Sequence, residues 1–137
     1  MKKTFYLLIA MLMLFAMLPQ PAAAADPLIF MYVSNFELVT KGPPNKVTPF
    51  ITVTILEAVN GQPLSKAAVT LRQTNDGPGS ITTETSTAKT NLQGVVKFNV
   101  ELPVGCTIYL MVEDVVKTGY LYEAEYNTVV ARIVVNP

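Results

Sequence analysis

Residues 51–71 read ITVTILEAVNGQPLSKAAVTL. Ile51, Val53 and Ile55 alternate with Thr52 and Thr54. Asn60, Gly61 and Pro63 supply turn chemistry, after which Ala67, Val69 and Leu71 resume the alternation against Ala68, Thr70 and Arg72. A period of two on either side of a turn marks two β-strands, each with one face for a core and one toward water. The stretch predicts a strand, a turn and a second strand, and the rest of the chain repeats the pattern.

Val96, Phe98, Val100 and Leu102 alternate with Lys97, Asn99 and Glu101, and Ile108, Leu110 and Val112 alternate with Thr107, Tyr109 and Met111. Near the end Val129, Ala131, Ile133 and Val135 share one face, expected to be the core side, opposite Val130, Arg132 and Val134. Turn residues separate these runs: KGPPN at 41–45, NDGPG at 75–79, NLQG at 91–94, PVG at 103–105 and KTG at 117–119. Short alternating strands at this spacing, with no amphipathic helix between them, predict an antiparallel sandwich or barrel. Residues 82–90, TTETSTAKT, are almost wholly polar and fit a solvated edge strand, where an apolar face would invite aggregation.

The first 25 residues stand apart from this pattern. Lys2 and Lys3 precede an uncharged apolar run from Thr4 to Leu18, Pro19 and Pro21 break it, and Ala23-Ala24-Ala25 supplies small residues. This is the layout of a secretory signal, with cleavage expected between Ala25 and Asp26. The rival reading is a membrane anchor, but the run of 15 residues falls short of the roughly 20 that a spanning helix needs. The expected organisation is a signal peptide at 1–25 and a single domain at 26–137, secreted to the periplasm, cell surface or exterior, with no transmembrane span after cleavage. Lys2 and Lys3 leave with the signal, so the remaining chain is slightly acidic. It carries no basic patch, which argues against nucleic acid as a partner. Cys106 is the only cysteine, so the core has to hold by apolar packing without an internal disulfide. The tail ARIVVNP has no sorting motif, and neither lipid nor wall anchoring is expected.

One strand departs from the half-buried pattern. In PLIFMYVSNFELV, Leu28, Phe30 and Tyr32 lie on one face and Ile29, Met31 and Val33 on the other, all of them apolar. Such a strand needs cover on both sides. Either it is an ordinary first strand wedged between the two sheets, or it completes a neighbouring molecule by strand addition and builds a homo-oligomer.

With these segments in order, a family resemblance emerges. ITVTILEAVNGQPLSKAAVTL followed by AKTNLQGVVKFNV, with Thr90 before a turn ending in Gly94, resembles the bacterial immunoglobulin-like modules of intimin- and invasin-type surface adhesins. It is also similar to carboxypeptidase regulatory-like and collagen-adhesin B-type modules, helped by LPVGCTIYLMVEDVVKTGYLYEAEY. The resemblance spans about 51–135 and rests on turns and core positions, which specify a fold better than an activity. It implies an immunoglobulin-like antiparallel β-sandwich of about seven strands, used as a spacer, adhesive or assembly unit outside the cytoplasm. The chain departs from the adhesins in having no internal repeat. It departs from the collagen-adhesin modules in offering no placeable Lys–Asn isopeptide trio; Lys46 with Asn136 has no support beyond residue type.

Catalytic equipment is sparse. The absence of histidine removes the commonest general base and transition-metal ligand. With one cysteine, a zinc site would need carboxylates alone. NDGPGS has neither a following lysine nor a helix to cap, and reads as a hairpin loop rather than a phosphate cradle. Asp76, Glu113, Asp114, Glu123 and Glu125 lack the dense spacing of a calcium loop. No cofactor and no metal are expected, and the chain reads as a non-enzyme. The most suggestive group is Tyr120, Tyr122 and Tyr126, which would point the same way along an extended strand. Exposed, they form a platform for a glycan or protein partner; packed, they close a corner of the sandwich. Two functional expectations follow: a secreted structural or adhesive subunit, self-associating through Leu28–Val33, or a soluble ligand-binding module using the tyrosine face.

Overall fold

The computed structural model describes residues 28–42, 48–129 and 131–136. The signal segment at 1–25, its cleavage site, Lys46 and the KGPPN turn beyond Gly42 lie outside the described residues. Within them the chain forms β1 (Ile29–Lys41), β2 (Thr48–Glu57), β3 (Ala68–Gly77), β4 (Ser80–Lys89), β5 (Val95–Asn99), β6 (Cys106–Val116), β7 (Tyr120–Tyr122) and β8 (Ala131–Asn136). One sheet has the order β5-β2-β1-β7 and the other β4-β3-β6-β8. All neighbours are antiparallel except β1 and β7, which run parallel. The fold is all-β, two sheets enclosing one apolar core, as the alternation predicted.

The inward faces follow parity closely in the middle of the chain. Ile51, Val53, Ile55, Val69, Leu71, Val96, Phe98, Val100, Ile108, Leu110 and Val112 are all buried. Two strands change parity partway. The β1–β2 register shifts between Val33 and Asn35, so that Ser34 is an extra residue. Met31 and Val33 point inward before this bulge and Phe36 after it. A second shift, between Thr70 and Leu71, leaves Glu113 without a cross-strand partner and returns Val115 to the core. Bulges of this kind bend a strand and re-aim its side chains.

The connection between β2 and β3 is fastened to the later turn by a buried threonine. Thr90 is the one buried polar side chain among the described residues. Its hydroxyl donates to the Leu64 carbonyl at 2.5 Å and accepts the Ala67 N–H at 3.0 Å. Its backbone pairs with Lys66 and Ala67 on the same connection. The NLQG turn completes the joint. Asn91 Oδ1 accepts the N–H groups of Gln93 and Val95, and the Gly94 carbonyl accepts the Ile55 N–H at 2.8 Å. Among the described residues no buried side-chain nitrogen or oxygen lacks a hydrogen-bond partner, as burial requires.

The edges show one agreement and one correction. β4 is exposed along its whole length apart from Ala88, matching the solvated edge strand read from TTETSTAKT as far as Lys89. The last residue of that stretch, Thr90, is buried instead, where its hydroxyl ties the β2–β3 connection. It pairs with β3 up to Gly77↔Ser80, so the NDGPG loop narrows to Pro78-Gly79 and its first residues belong to the strand. At the C-terminal strand the expected core face is reversed. Ile133 and Val135 are 66% and 69% exposed and Ala131 is exposed, while Val134 packs against the core. Both faces of this strand are apolar, so periodicity alone could not orient it; pairing with β6, Ile108↔Val134, sets which side turns inward.

Candidate functional site

The N-terminal half of β1 is held on both sides by its own chain. On one side the Phe30 carbonyl accepts the Ala58 N–H at 2.9 Å, and on the other the Met31 carbonyl accepts the Glu123 N–H at 3.0 Å. The Val33 N–H, freed at the bulge, donates to Asn127 Oδ1 at 2.7 Å, and the Val33 carbonyl accepts the Thr128 N–H at 3.1 Å. Of the six residues considered as an assembly strand, Met31 and Val33 are fully buried and Ile29, Phe30 and Tyr32 half-buried. Leu28 is 66% exposed. The strand is seated inside its own sheet, between β2 and β7.

Tyr120, Tyr122 and Tyr126 do not form one row. Strand β7 ends at Tyr122, and Ala124–Tyr126 turn as a short 3-10 helix, η1. Tyr120 and Tyr122 pack against the core, with Leu121 on the outer side. Lys117 lies 5.6 Å from the centre of the Tyr120 ring while its ammonium donates to the Ser65 carbonyl. The Tyr122 hydroxyl accepts the Asn127 Nδ2–H at 2.7 Å. Burial pushes the pKa of this hydroxyl up from its ordinary value; the bond from Asn127 opposes the rise and the charge of Asp114 adds to it. Tyr122 is therefore a neutral packing residue whose polar tip is occupied. The corner reading of the tyrosines describes these two.

Tyr126 goes elsewhere. It is 54% exposed and meets the Phe30 ring edge-on, with centroids 6.2 Å apart and planes at 70°. Phe30, Tyr32, Ala58, Val59, Tyr126 and Thr128 line an open groove of about 500 Å³ on the outer side of β1. Three segments converge there: the outward face of β1, the turn after β2 and the η1 corner. Val59, 81% exposed, forms one wall. Among the described residues the lining carries aromatic faces and three hydroxyls but no carboxylate or amine. A second open groove, of about 460 Å³, lies among Thr40, Pro49, Val100, Glu101, Leu102 and Pro103.

The acidic residues are dispersed. Glu113, at its bulge, lies 3.5 Å from Arg72 with both side chains substantially exposed, a pairing worth little. Asp114 accepts the N–H of Val115. Among the described residues no three His, Cys, Asp or Glu side chains converge. Cys106 is half-buried, its sulfur so close to Gly77 that a Cβ there would lie 2.7 Å away. Asn136 Nδ2 donates to the Leu102 carbonyl at 2.6 Å, which gives that side chain a structural role at the strand end. No family model, curated protein or solved structure matches the chain.

Proposed function

We propose that the chain is an exported, non-enzymatic immunoglobulin-like module that serves as a structural or adhesive subunit outside the cytoplasm. The observation that carries this reading is the path of the last segment. It pairs first with β1 in one sheet, as β7, and then crosses to pair with β6 in the other, as β8. With β1, β2 and β5 in one sheet and β3, β6 and β8 in the other, the order supports the resemblance read from the turns. The fourth strand departs from the constant-type arrangement by pairing with β3. Cell fractionation and mass spectrometry of native material test the proposal. The expected product begins at Asp26, lies outside the cytoplasm, and supports attachment of the producing cells when present. Cytoplasmic protein that retains Met1 would refute it.

A second reading, a soluble module binding a glycan or protein, is favoured by the aromatic groove, with Phe30 and Tyr126 in place of the tyrosine row. Tyr126→Ser is expected to abolish retention on the bound glycan or protein while moving Tm by no more than a degree or two, as for exposed positions. Tyr122→Ser is expected to lower Tm by several degrees through lost packing. Binding that survives Tyr126→Ser would remove the groove from consideration.

A further inference from the structure

The free edges of the two sheets are protected unequally. β5 is five residues long and β7 three, and β7 runs straight into η1. β4 is longer, but its exposed side chains are mostly Thr, Ser, Glu and Lys, which blunt an edge against association. Among the described residues nothing gives β8 such protection. Ala131, Ile133 and Val135 face outward, and Arg132 is its one charge. The neighbouring strand extends the apolar surface at Tyr109, 42% exposed and beside Ile133. Half-buried Met111, beside Ala131, accepts the Arg72 guanidinium at its sulfur and marks the polar rim of the patch. Such a patch, on the order of a few hundred Å², is of the size that marks interaction sites on soluble proteins.

We propose that β8 pairs with β8 of a second copy of this chain, antiparallel about a two-fold axis, so that the two β4-β3-β6-β8 sheets become one. The strand is self-complementary. In the register that sets Ile133 opposite itself, Ala131 faces Val135 of the other copy, giving three apolar cross-strand pairs on one face. Arg132 then faces Val134, so like charges do not oppose each other. The contact is isologous and consumes the edge, which closes the assembly at two copies. A six-residue strand pair with its flanking side chains buries less than the roughly 800 Å² per partner of a standard stable interface. The dimer is accordingly weak and concentration-dependent. This inference does not depend on export or on the aromatic groove.

Light scattering on the purified chain across the micromolar-to-millimolar range tests it. The expected mass rises with concentration from one copy to two and stops there. Ile133→Lys, at an exposed position, should keep its Tm and remain a single copy throughout, whereas Thr85→Lys on β4 should dimerise like the parent. In a Cys106→Ser background, Ile133→Cys should form a covalent dimer under mild oxidation, since directly opposed strand residues come within disulfide reach. A parent chain that remains one copy at every concentration would overturn the proposal. So would growth past two copies, or association that Ile133→Lys leaves intact.

Discussion

Replacing Gly94 with alanine is expected to destabilise the sandwich by at least about 3 kcal/mol, through backbone strain and a clash that no side chain can relieve. Gly94 has φ +71°, a conformation that L-residues adopt only at a cost. A Cβ there would stand 2.6 Å from the Ile55 carbonyl oxygen and 3.0 Å from the Leu64 nitrogen. Both atoms are backbone, and both are engaged in the joint around Thr90: Ile55 donates to Gly94, and Leu64 donates to Ile55. Moving either one opens the connection between β2 and β3. Urea denaturation of Gly94→Ala beside Gly105→Ala separates the two causes. Gly105 has φ +78° but nothing within 4 Å of its would-be Cβ, so it reports the conformational cost alone. Equal losses at the two sites would mean that the close approach at Gly94 contributes nothing.

Phe98→Ala is expected to cost about 3 to 5 kcal/mol, the usual consequence of emptying an aromatic core site. Phe98 is 4% exposed, on the inward face of β5 opposite Ile51. Lys97, one residue away, faces outward with its ammonium 5.4 Å from the centre of the Phe50 ring. Losing that exposed cation–π contact should cost less than about 1 kcal/mol in Lys97→Ala. The contrast between neighbours is the test. Comparable losses in chemical denaturation would mean that β5 does not present Phe98 to the core.

β2, β5 and the first part of β6 were legible because their alternation is unbroken and one face is clearly wetter. Val96 to Leu102 could be assigned a side from Lys97, Asn99 and Glu101 alone. Where the pattern misled, the cause was local. Ser34 and Glu113 are single extra residues, and nothing in SNFE or MVEDVV announces a bulge. The C-terminal strand is apolar on both faces, so its orientation comes from pairing with β6 and not from its own composition. YLYEAEYN contains neither glycine nor proline, which made a continuous strand the natural expectation. The turn at η1 is fixed by tertiary partners instead, the Met31 carbonyl and the Val33 N–H. The aromatic groove was hidden for a related reason. Phe30 belongs to β1, Tyr126 to the η1 corner and Val59 to the turn after β2, and only the packed chain brings them together.

The bond from the Val33 N–H to Asn127 spans 94 residues of sequence, and the parallel pairing of β1 with β7 spans nearly as many. For a chain delivered N-terminus first, whether from a ribosome or through a translocation pore, β1 therefore arrives early and waits. It can take up β2 at once, but its other edge stays open until residues 120–128 have emerged. Contacts of such long range fold slowly, since loop-closure entropy has to be met before they form. Completion of the β5-β2-β1-β7 sheet is thus tied to the arrival of residues 120–128, and until they emerge the sheet stays open along β1.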